Sequence, residues 1–148
     1  MPEYDITFAK KLSDTATLVA SQGLDGLDAK RTVLYLSLLA TELTMKAMLE
    51  KAGEPIAKIR KRSHDLQGLA RDLGKCSVNV ELAPGTTRPV PAIRFRAIEV
   101  EASGGRVTIG TILDAEAQGA SRYPNQVRYG PNPPNLSLTL CTRRKDGV

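Results

Sequence analysis

The sequence predicts a mainly helical protein, α+β overall, with a helical first half and a strand-rich second half. Apolar residues recur at three- and four-residue steps through about the first 75 residues, which is the period of a helix face. Near residue 76 they begin to alternate with polar residues, a pattern typical of strands. Because 148 residues is the size of one domain, we expect a single domain, 1–148. Its helical core should span about 5–75, and a β-rich insertion or extension should span about 76–142.

Two long helices are predicted first. The first covers about 6–20, with Asp5 or Thr7 as its N-cap. The second, Asp28–Ala52, contains no Gly or Pro and is stopped by Gly53. Its apolar residues form two stripes: Val33, Leu36, Ala40, Leu43 and Ala47, and Leu34, Leu38, Met45 and Leu49. Two apolar faces indicate that this helix is covered on more than one side, by other helices or by a second subunit.

A short third helix follows, which we expect Ser63 to cap and Gly74 to end. Asp65 then favours its first turn. Its buried face contains Leu66, Leu69, Ala70 and Leu73.

The strand-rich half divides into short segments. Residues 78–82 alternate like a strand, and the proline-containing 84–91 reads as a loop. In 93–102 the alternation slips by one residue, which fits a bulged strand. A hairpin turn at 103–105 then leads into a returning strand containing Val107 and Ile109.

Three further segments complete the expected order of elements. Residues 111–120 favour a short helix, and 123–135, with four prolines, favour a loop. Residues 136–141 favour a last strand before a charged tail.

Composition excludes several classes of protein. No uninterrupted apolar run approaches the roughly 18 residues needed to span a bilayer, and the N-terminus lacks the pattern of a secretory signal. We therefore expect a cytoplasmic protein that makes no membrane contact. One histidine and two distant cysteines form no zinc-binding pattern, and there is no P-loop, so neither a metal nor a cofactor is expected.

The segment KIRKRSHDLQGLARDLG, 58–74, contains the only histidine and most of the local basic surplus. Residues 54–75 carry six basic and three acidic side chains. The candidate anion-binding residues in front of the helix start, where backbone N–H groups favour a phosphate, are Lys58, Arg60, Lys61, Arg62, Ser63 and His64. The alternative is that the four cations Lys58, Arg60, Lys61 and Arg62, here called the basic turn, are simply solvated. His64 would then bond to neighbouring backbone or to Glu42.

Two other groups of residues are candidates. Glu42 and Lys46 form an i, i+4 pair in an otherwise apolar helix, either as polar partners of His64 across the bundle or as a surface ion pair. The Arg-Tyr pairs that contain Tyr123 and Tyr129 could stack on bases, or they could belong to a loop that folds over the core.

The segment Arg31–Gly74 resembles the HEPN family, named for higher eukaryotes, prokaryotes and nucleotide binding. The matching stretches are ATELTMKAMLEKAG and SHDLQGL. Extended to the first helix, the resemblance covers about 5–74. The matching residues are Ala40, Glu42, Leu43, Lys46, Ala47, Leu49, Gly53, His64, Asp65, Leu66 and Leu69.

This resemblance implies an up-and-down helical core that often dimerises, so we expect a homodimer. Many family members are metal-independent RNases that use an Arg and a His with four to six residues between them. Here Arg60 and His64 have three residues between them, and His64 matches a structural motif of the family, not its catalytic motif. The last long helix of the family has no counterpart after residue 75.

Three functions therefore compete. The first is a non-catalytic binding or accessory module that engages a nucleotide, RNA or a protein through the basic turn, with a nucleotidyltransferase-type protein among the candidate partners. The second is a metal-independent endoribonuclease with His64 and Arg60 as catalytic residues. The third is a structural protein that dimerises without a ligand.

Overall fold

A computed structural model describes residues 1–23, 26–91, 96–97, 99–102, 105–119 and 122–129. Over these residues the protein is mainly helical, as the sequence predicts. The helices are α1 Ile6–Ser21, α2 Leu27–Lys51, α3 Ile56–Lys61, α4 Leu66–Leu73, α5 Ile109–Ala117 and α6 Asn125–Tyr129. The strands are β1 Ser77–Ala83, β2 Thr86–Pro91, β3 Glu99–Ala102 and β4 Gly105–Thr108.

Helices α1 and α2 form the largest helix–helix contact among the described elements. The carboxylate of Asp5 caps α1 by accepting hydrogen bonds from the backbone N–H groups of Thr7 and Phe8, which confirms Asp5 as the cap. Ala9 and Ala16 are buried along α1, and alanine side chains let two helix axes approach closely.

The opposite side of α2 faces the main core. Leu38, Met45 and Leu49 of α2 pack there against apolar side chains of three other helices. Those side chains are Ile59 of α3, Leu66, Leu69, Ala70 and Leu73 of α4, and Leu113 of α5. Both stripes of α2 thus contain buried residues, because α1 covers one side and the later helices cover the other.

Helix α2 is long and apolar enough to cross a membrane, judged by its length and composition alone. Its most apolar 18 residues are 39% buried inside the protein. Core helices of globular proteins can have the same length and composition, so these two properties are only weak support for a membrane-spanning helix.

The connection between α2 and α4 differs from the sequence prediction. It contains α3, a six-residue helix in what was predicted to be a turn. Ser63 does not cap the next helix: it has a positive φ of 48°, and the N-cap is Asp65, whose side chain accepts from the N–H of Gly68. A carboxylate is a good acceptor for this hydrogen bond, and its negative charge is also stabilised by the positive end of the helix dipole.

Two antiparallel pairs of strands follow α4. Strand β1 is confirmed, but the segment predicted as a proline loop is β2, which pairs with β1. Proline is tolerated because each strand of a two-stranded ribbon has an unpaired edge, where no N–H donor is needed. Pro89 and Pro91 are two residues apart in β2, so their backbone nitrogens face the same edge of the strand. Strands β3 and β4 pair in antiparallel orientation, from Glu99 with Thr108 to Ala102 with Gly105. Residues 103–104 of the turn that was predicted between them lie outside the described residues.

The remaining predictions have mixed outcomes. Of the predicted bulged strand at 93–102, residues 96–97 form a 3₁₀ turn instead and 99–102 form β3, whereas 93–95 and 98 lie outside the described residues. Ile109 starts α5 and does not belong to the returning strand, because the side chain of Thr108 caps the helix there. Part of the predicted 123–135 loop is helix α6. The predicted strand at 136–141 and the tail lie outside the described residues.

Candidate functional site

The carboxylate of Glu42, in the middle of α2, is the centre of a polar cluster inside the bundle. Its Oε1 accepts a hydrogen bond of 2.7 Å from Nζ of Lys46, one turn along the same helix. Its Oε2 lies 3.0 Å from Nδ1 of His64 and accepts a 2.5 Å hydrogen bond from the hydroxyl of Tyr123. The four side chains join α2 to the start of α4 and to the segment before α6.

Glu42 and Lys46 are both buried, at 2% and 7% exposure. The alternative of a surface ion pair is therefore wrong, and Glu42 is a partner of His64 across the bundle, as the other hypothesis required. Burial by itself raises the pKa of Glu42, but hydrogen bonds from Lys46, Tyr123 and His64 hold that pKa below its ordinary value of 4.5. Glu42 is accordingly a carboxylate at neutral pH.

Lys46 is enclosed by a second contact. The ring of Tyr4, just before α1, lies 5.6 Å from its ammonium, within the range of a cation–π interaction. The backbone N–H groups of Glu3 and Tyr4 donate to the Glu50 carboxylate, which fixes this N-terminal segment against α2.

Tyr123 is half-buried and its ring packs against two others. The ring centroids of Tyr35 and His64 lie 6.2 Å and 6.1 Å away, and the His64 ring is almost perpendicular to it. Burial and the hydrogen bond to Glu42 raise the pKa of the Tyr123 phenol well above its ordinary value. These contacts do not support the hypothesis that Tyr123 stacks on bases. They agree with the alternative, in which the segment that contains Tyr123 folds over the core.

Two backbone contacts hold the α6 segment in place. The guanidinium of Arg31 in α2 donates to the carbonyl oxygens of Val127 and Gln126, at 2.5 Å and 2.9 Å. Val127 is buried, and the Arg128 guanidinium lies 5.8 Å from the ring centroid of Tyr35. Tyr129 ends α6, and its side chain lies outside the described part of the structure.

The imidazole of His64 has one engaged and one available nitrogen. Since Glu42 is ionised and can only accept, Nδ1 of His64 carries the proton that it donates. Nε2 has no hydrogen-bond partner among the described residues, and 46% of the His64 side chain is exposed. In a neutral imidazole this leaves Nε2 as an acceptor, which could bind a donor group or take a proton from a substrate.

His64 lines a pocket of about 210 Å³ between the start of α4 and the end of α5. The other lining residues are Asp65, Leu66, Gln67, Glu116, Ala117 and Tyr123. Apart from His64, none of the predicted anion-binding residues of the basic turn is among them.

Three of the four cations of the basic turn are paired with carboxylates. Lys58 pairs with Glu54 at 2.7 Å. Arg60 donates two hydrogen bonds to Glu3, of 2.7 Å and 2.6 Å. These two pairs are at the surface, where such pairs contribute little to stability.

Arg62 is held more firmly, because it donates through two nitrogens to Asp72, which is 6% exposed. These hydrogen bonds from Arg62 lower the pKa of Asp72. Lys61 is exposed and has no carboxylate partner among the described residues. The basic turn thus has its own carboxylates, and the start of α4 that was expected to bind an anion is already capped by Asp65.

The two expected catalytic residues are bound to different carboxylates. Arg60 is held by Glu3 near the N-terminus, and His64 is held by Glu42 in α2. The Arg60 guanidinium is therefore directed to a partner that His64 does not share. No contact between the two residues supports a joint action on one phosphate.

Sequence reasoning missed the role of Tyr123 and the two carboxylates that neutralise the turn, Glu3 and Asp72. Glu42 and Tyr123 are 81 residues apart, and no periodicity relates them. Asp72 had a detectable signal: it lies on the face of α4 that contains Leu69 and Leu73, where a carboxylate needs a cationic partner.

No protein-family model matches this chain, and comparisons with curated proteins and with solved structures also find no match. Among the described residues, no group of three or more His, Cys, Asp and Glu side chains is arranged to hold a metal ion.

Proposed function

We propose that this chain is a non-catalytic binding module with a HEPN-like helical core, and that its binding site is the pocket beside His64. The observation that carries the proposal is the hydrogen bond between His64 and Glu42. A buried carboxylate fixes the tautomer of the imidazole, so that the ring presents Nε2 as an acceptor without needing a substrate to orient it.

The two short stretches that resemble the HEPN family support the proposed core. Glu42 and Lys46 belong to the first stretch and His64 to the second, and these three residues form one hydrogen-bonded cluster, in which Glu42 and Lys46 are buried. Asp65 and Leu66 of the second stretch begin α4 as its cap and its first buried residue.

A binding role is favoured over RNA cleavage by the partners of the cations. Phosphodiester cleavage needs a cation close to the base to stabilise the charge that develops on the phosphate. The only arginine near the required sequence spacing, Arg60, is paired with Glu3. Endoribonuclease activity remains the second candidate because the Glu42–His64 pair is also a competent arrangement for a general base.

Homodimerisation is part of the proposal. Ile6, Phe8 and Leu18 of α1 are each exposed by half or more, and so is Leu27 at the start of α2. Sedimentation equilibrium would test this directly. A dimer is expected, and a monomer at micromolar concentration would remove this part of the proposal.

The proposed site is tested with the single histidine as a reporter. The imidazole signals of ¹⁵N-labelled protein are followed while single-stranded RNA, a mononucleotide, and pooled acidic or basic peptides are added in turn. A ligand that shifts the His64 signals and leaves RNA intact on a denaturing gel would support a binding module. RNA cleavage that disappears in His64→Ala would replace it with the nuclease, and no shift with any ligand would refute the site.

A further inference from the structure

The ribbon formed by β1 and β2 has no third strand among the described residues. The two strands pair with each other, and the polar side chains of Ser77, Asn79 and Glu81 along β1 are exposed. A two-stranded ribbon is only marginally stable in water unless further strands or a packed face support it. An added strand would therefore stabilise this part of the fold.

The prolines of β2 make the two edges of the ribbon different. Pro89 is paired with Asn79, and Pro91 with Ser77. Two facing residues of an antiparallel ladder exchange hydrogen bonds only if both carry an N–H, which proline lacks. These two pairs are therefore the non-hydrogen-bonded ones, and the proline nitrogens face the outer edge of β2. That edge lacks donors at alternate positions, so it does not accept a regular strand.

The outer edge of β1 is open. Because the pair of Asn79 with Pro89 is not hydrogen-bonded, the backbone N–H and C=O groups of Asn79 point away from β2. The same alternation directs the backbone groups of Ser77 and Glu81 outward. None of these groups bonds to a described residue outside the ribbon. Strand β1 thus presents a regular row of donors and acceptors from 77 to 81.

From the closed edge of β2 and the open edge of β1 together, we infer that β1 pairs with β1 of a second copy of this chain, antiparallel and about a two-fold axis at Asn79. This inference rests on the homodimer in the proposed function, because it names a contact between the two copies. Asn79 lies opposite the same residue of the second copy, and Ser77 lies opposite Glu81. Each of these residues then uses both its N–H and its C=O in hydrogen bonds to the residue it faces.

Closure favours a second copy as the occupant of this edge. Pairing of β1 with β2 of another copy would be head-to-tail and would propagate into an open fibre, but the prolines of β2 prevent it. Pairing of β1 with β1 is isologous and closes after two copies. Since each copy contributes two strands, the result is a four-stranded sheet, a size that is usual for stable sheets.

The charges along the ribbon agree with this register. Glu81 faces Thr87 of its own β2 and Ser77 of the second copy, whereas Arg88 lies in the neighbouring row of facing residues. No row therefore places two like charges opposite each other, an arrangement that would destabilise the sheet. The carboxylate of Glu81 also accepts a 3.1 Å hydrogen bond from the N–H of Gly85, which holds it towards its own turn.

Two pairs of matched variants test the contact by sedimentation equilibrium. Asn79→Pro removes an N–H from the open edge and Thr87→Pro removes one from the closed edge, and neither N–H belongs to the β1–β2 ladder. Asn79→Lys keeps the backbone N–H and places two cations opposite each other, and Thr87→Lys is its control with the same change in charge. We expect Asn79→Pro to weaken the dimer about tenfold or more, because each copy loses a hydrogen bond. Asn79→Lys should weaken it by charge repulsion, and both Thr87 variants should leave it unchanged.

Amide hydrogen exchange shows whether a second copy is the occupant. The Asn79 N–H should exchange more slowly as the protein concentration rises through the dissociation constant of the dimer, while the Thr87 N–H exchanges fast throughout. Slow exchange of the Asn79 N–H in the dilute monomer would mean that another part of the same chain covers the edge, and it overturns the inference. Fast exchange of the Asn79 N–H in the concentrated dimer overturns it as well.

The outcomes separate this inference from the proposed function. A dimer that only the Asn79 substitutions weaken supports both the contact and the homodimer. A dimer that withstands the Asn79 substitutions, or that the Thr87 substitutions weaken equally, overturns the contact and keeps the homodimer. A monomeric wild-type protein overturns both of them. The pocket beside His64 is tested independently, by the signals of its imidazole.

Discussion

The hydroxyl of Tyr123 donates a 2.5 Å hydrogen bond to Oε2 of Glu42, the same oxygen that lies 3.0 Å from Nδ1 of His64. One carboxylate oxygen of Glu42 thus positions two residues that line the pocket, His64 and Tyr123. The second oxygen is neutralised by Lys46, so the cluster carries no net charge when His64 is neutral. The shape of the pocket and the stability of the fold consequently depend on the same buried group.

Replacing Glu42 by Gln should destabilise the protein by about 3 kcal/mol, the cost of breaking one side of a buried ion pair. Lys46, 7% exposed, would be left as a buried cation without a carboxylate. Urea unfolding followed by circular dichroism measures the loss. Adding Lys46→Met to Glu42→Gln should recover part of it, and a double variant as unstable as the sum of the single variants would contradict the pairing.

Replacing Tyr123 by Phe should keep the fold and loosen the α6 segment. The substitution removes one hydrogen bond to a charged acceptor, for a cost of about 1.5–3 kcal/mol, while the ring contacts with Tyr35 and His64 remain. Amide hydrogen exchange should accelerate over 125–129 and remain unchanged in α1. Equal acceleration in both helices would mean that Tyr123 acts on global stability alone.

Stability should fall on acidification, and part of the fall should belong to Glu42. Its pKa in the folded protein is below the ordinary 4.5, so ionised Glu42 stabilises the fold above that pH. The contribution is lost as the pH decreases through the folded pKa. Asp72, whose pKa is lowered by Arg62, acts in the same direction below its ordinary 3.8.

The comparison of wild type with Glu42→Gln isolates the first contribution. The difference between their free energies of unfolding should be constant from pH 7 to about pH 5, and should shrink as the pH falls below 4.5. A difference that does not depend on pH over this range would show that Glu42 is not the titrating group.

The cap of α4 gives a prediction that separates Asp65 from Ser63. Asp65→Ala should cost about 1 kcal/mol, since it removes the acceptor for the Gly68 N–H, whereas Asp65→Asn should cost much less. Ser63→Gly should be neutral or stabilising, because Ser63 has a positive φ that glycine adopts without strain. A large loss in Ser63→Ala and none in Asp65→Ala would restore Ser63 as the cap.

The helical half of the fold could be predicted because its signals are local. Apolar periodicity and the stops at Gly53 and Gly74 placed α1, α2 and α4 within a few residues of their bounds. The cap of α4 was misplaced because Ser63 and Asp65 are both good N-cap residues. Only the backbone conformation decides between them.

The second half was harder because tertiary context outweighs local preference there. The prolines of 84–91 disfavour a helix or a central strand and so predict a loop, yet a two-stranded ribbon with free edges accepts them. The prolines around α6 likewise suggested a loop, but contacts from Arg31 and the burial of Val127 stabilise a short helix. The link between His64 and Glu42 was predicted as one of two alternatives, whereas Tyr123 was not, because nothing in its local sequence indicates a partner 81 residues away.

The most direct measurement is the ¹⁵N spectrum of the neutral His64 imidazole. We expect a proton on Nδ1 and a bare Nε2, because the Glu42 carboxylate 3.0 Å from Nδ1 can only accept a hydrogen bond. A spectrum with the proton on Nε2 would contradict the hydrogen bond on which the proposed site depends.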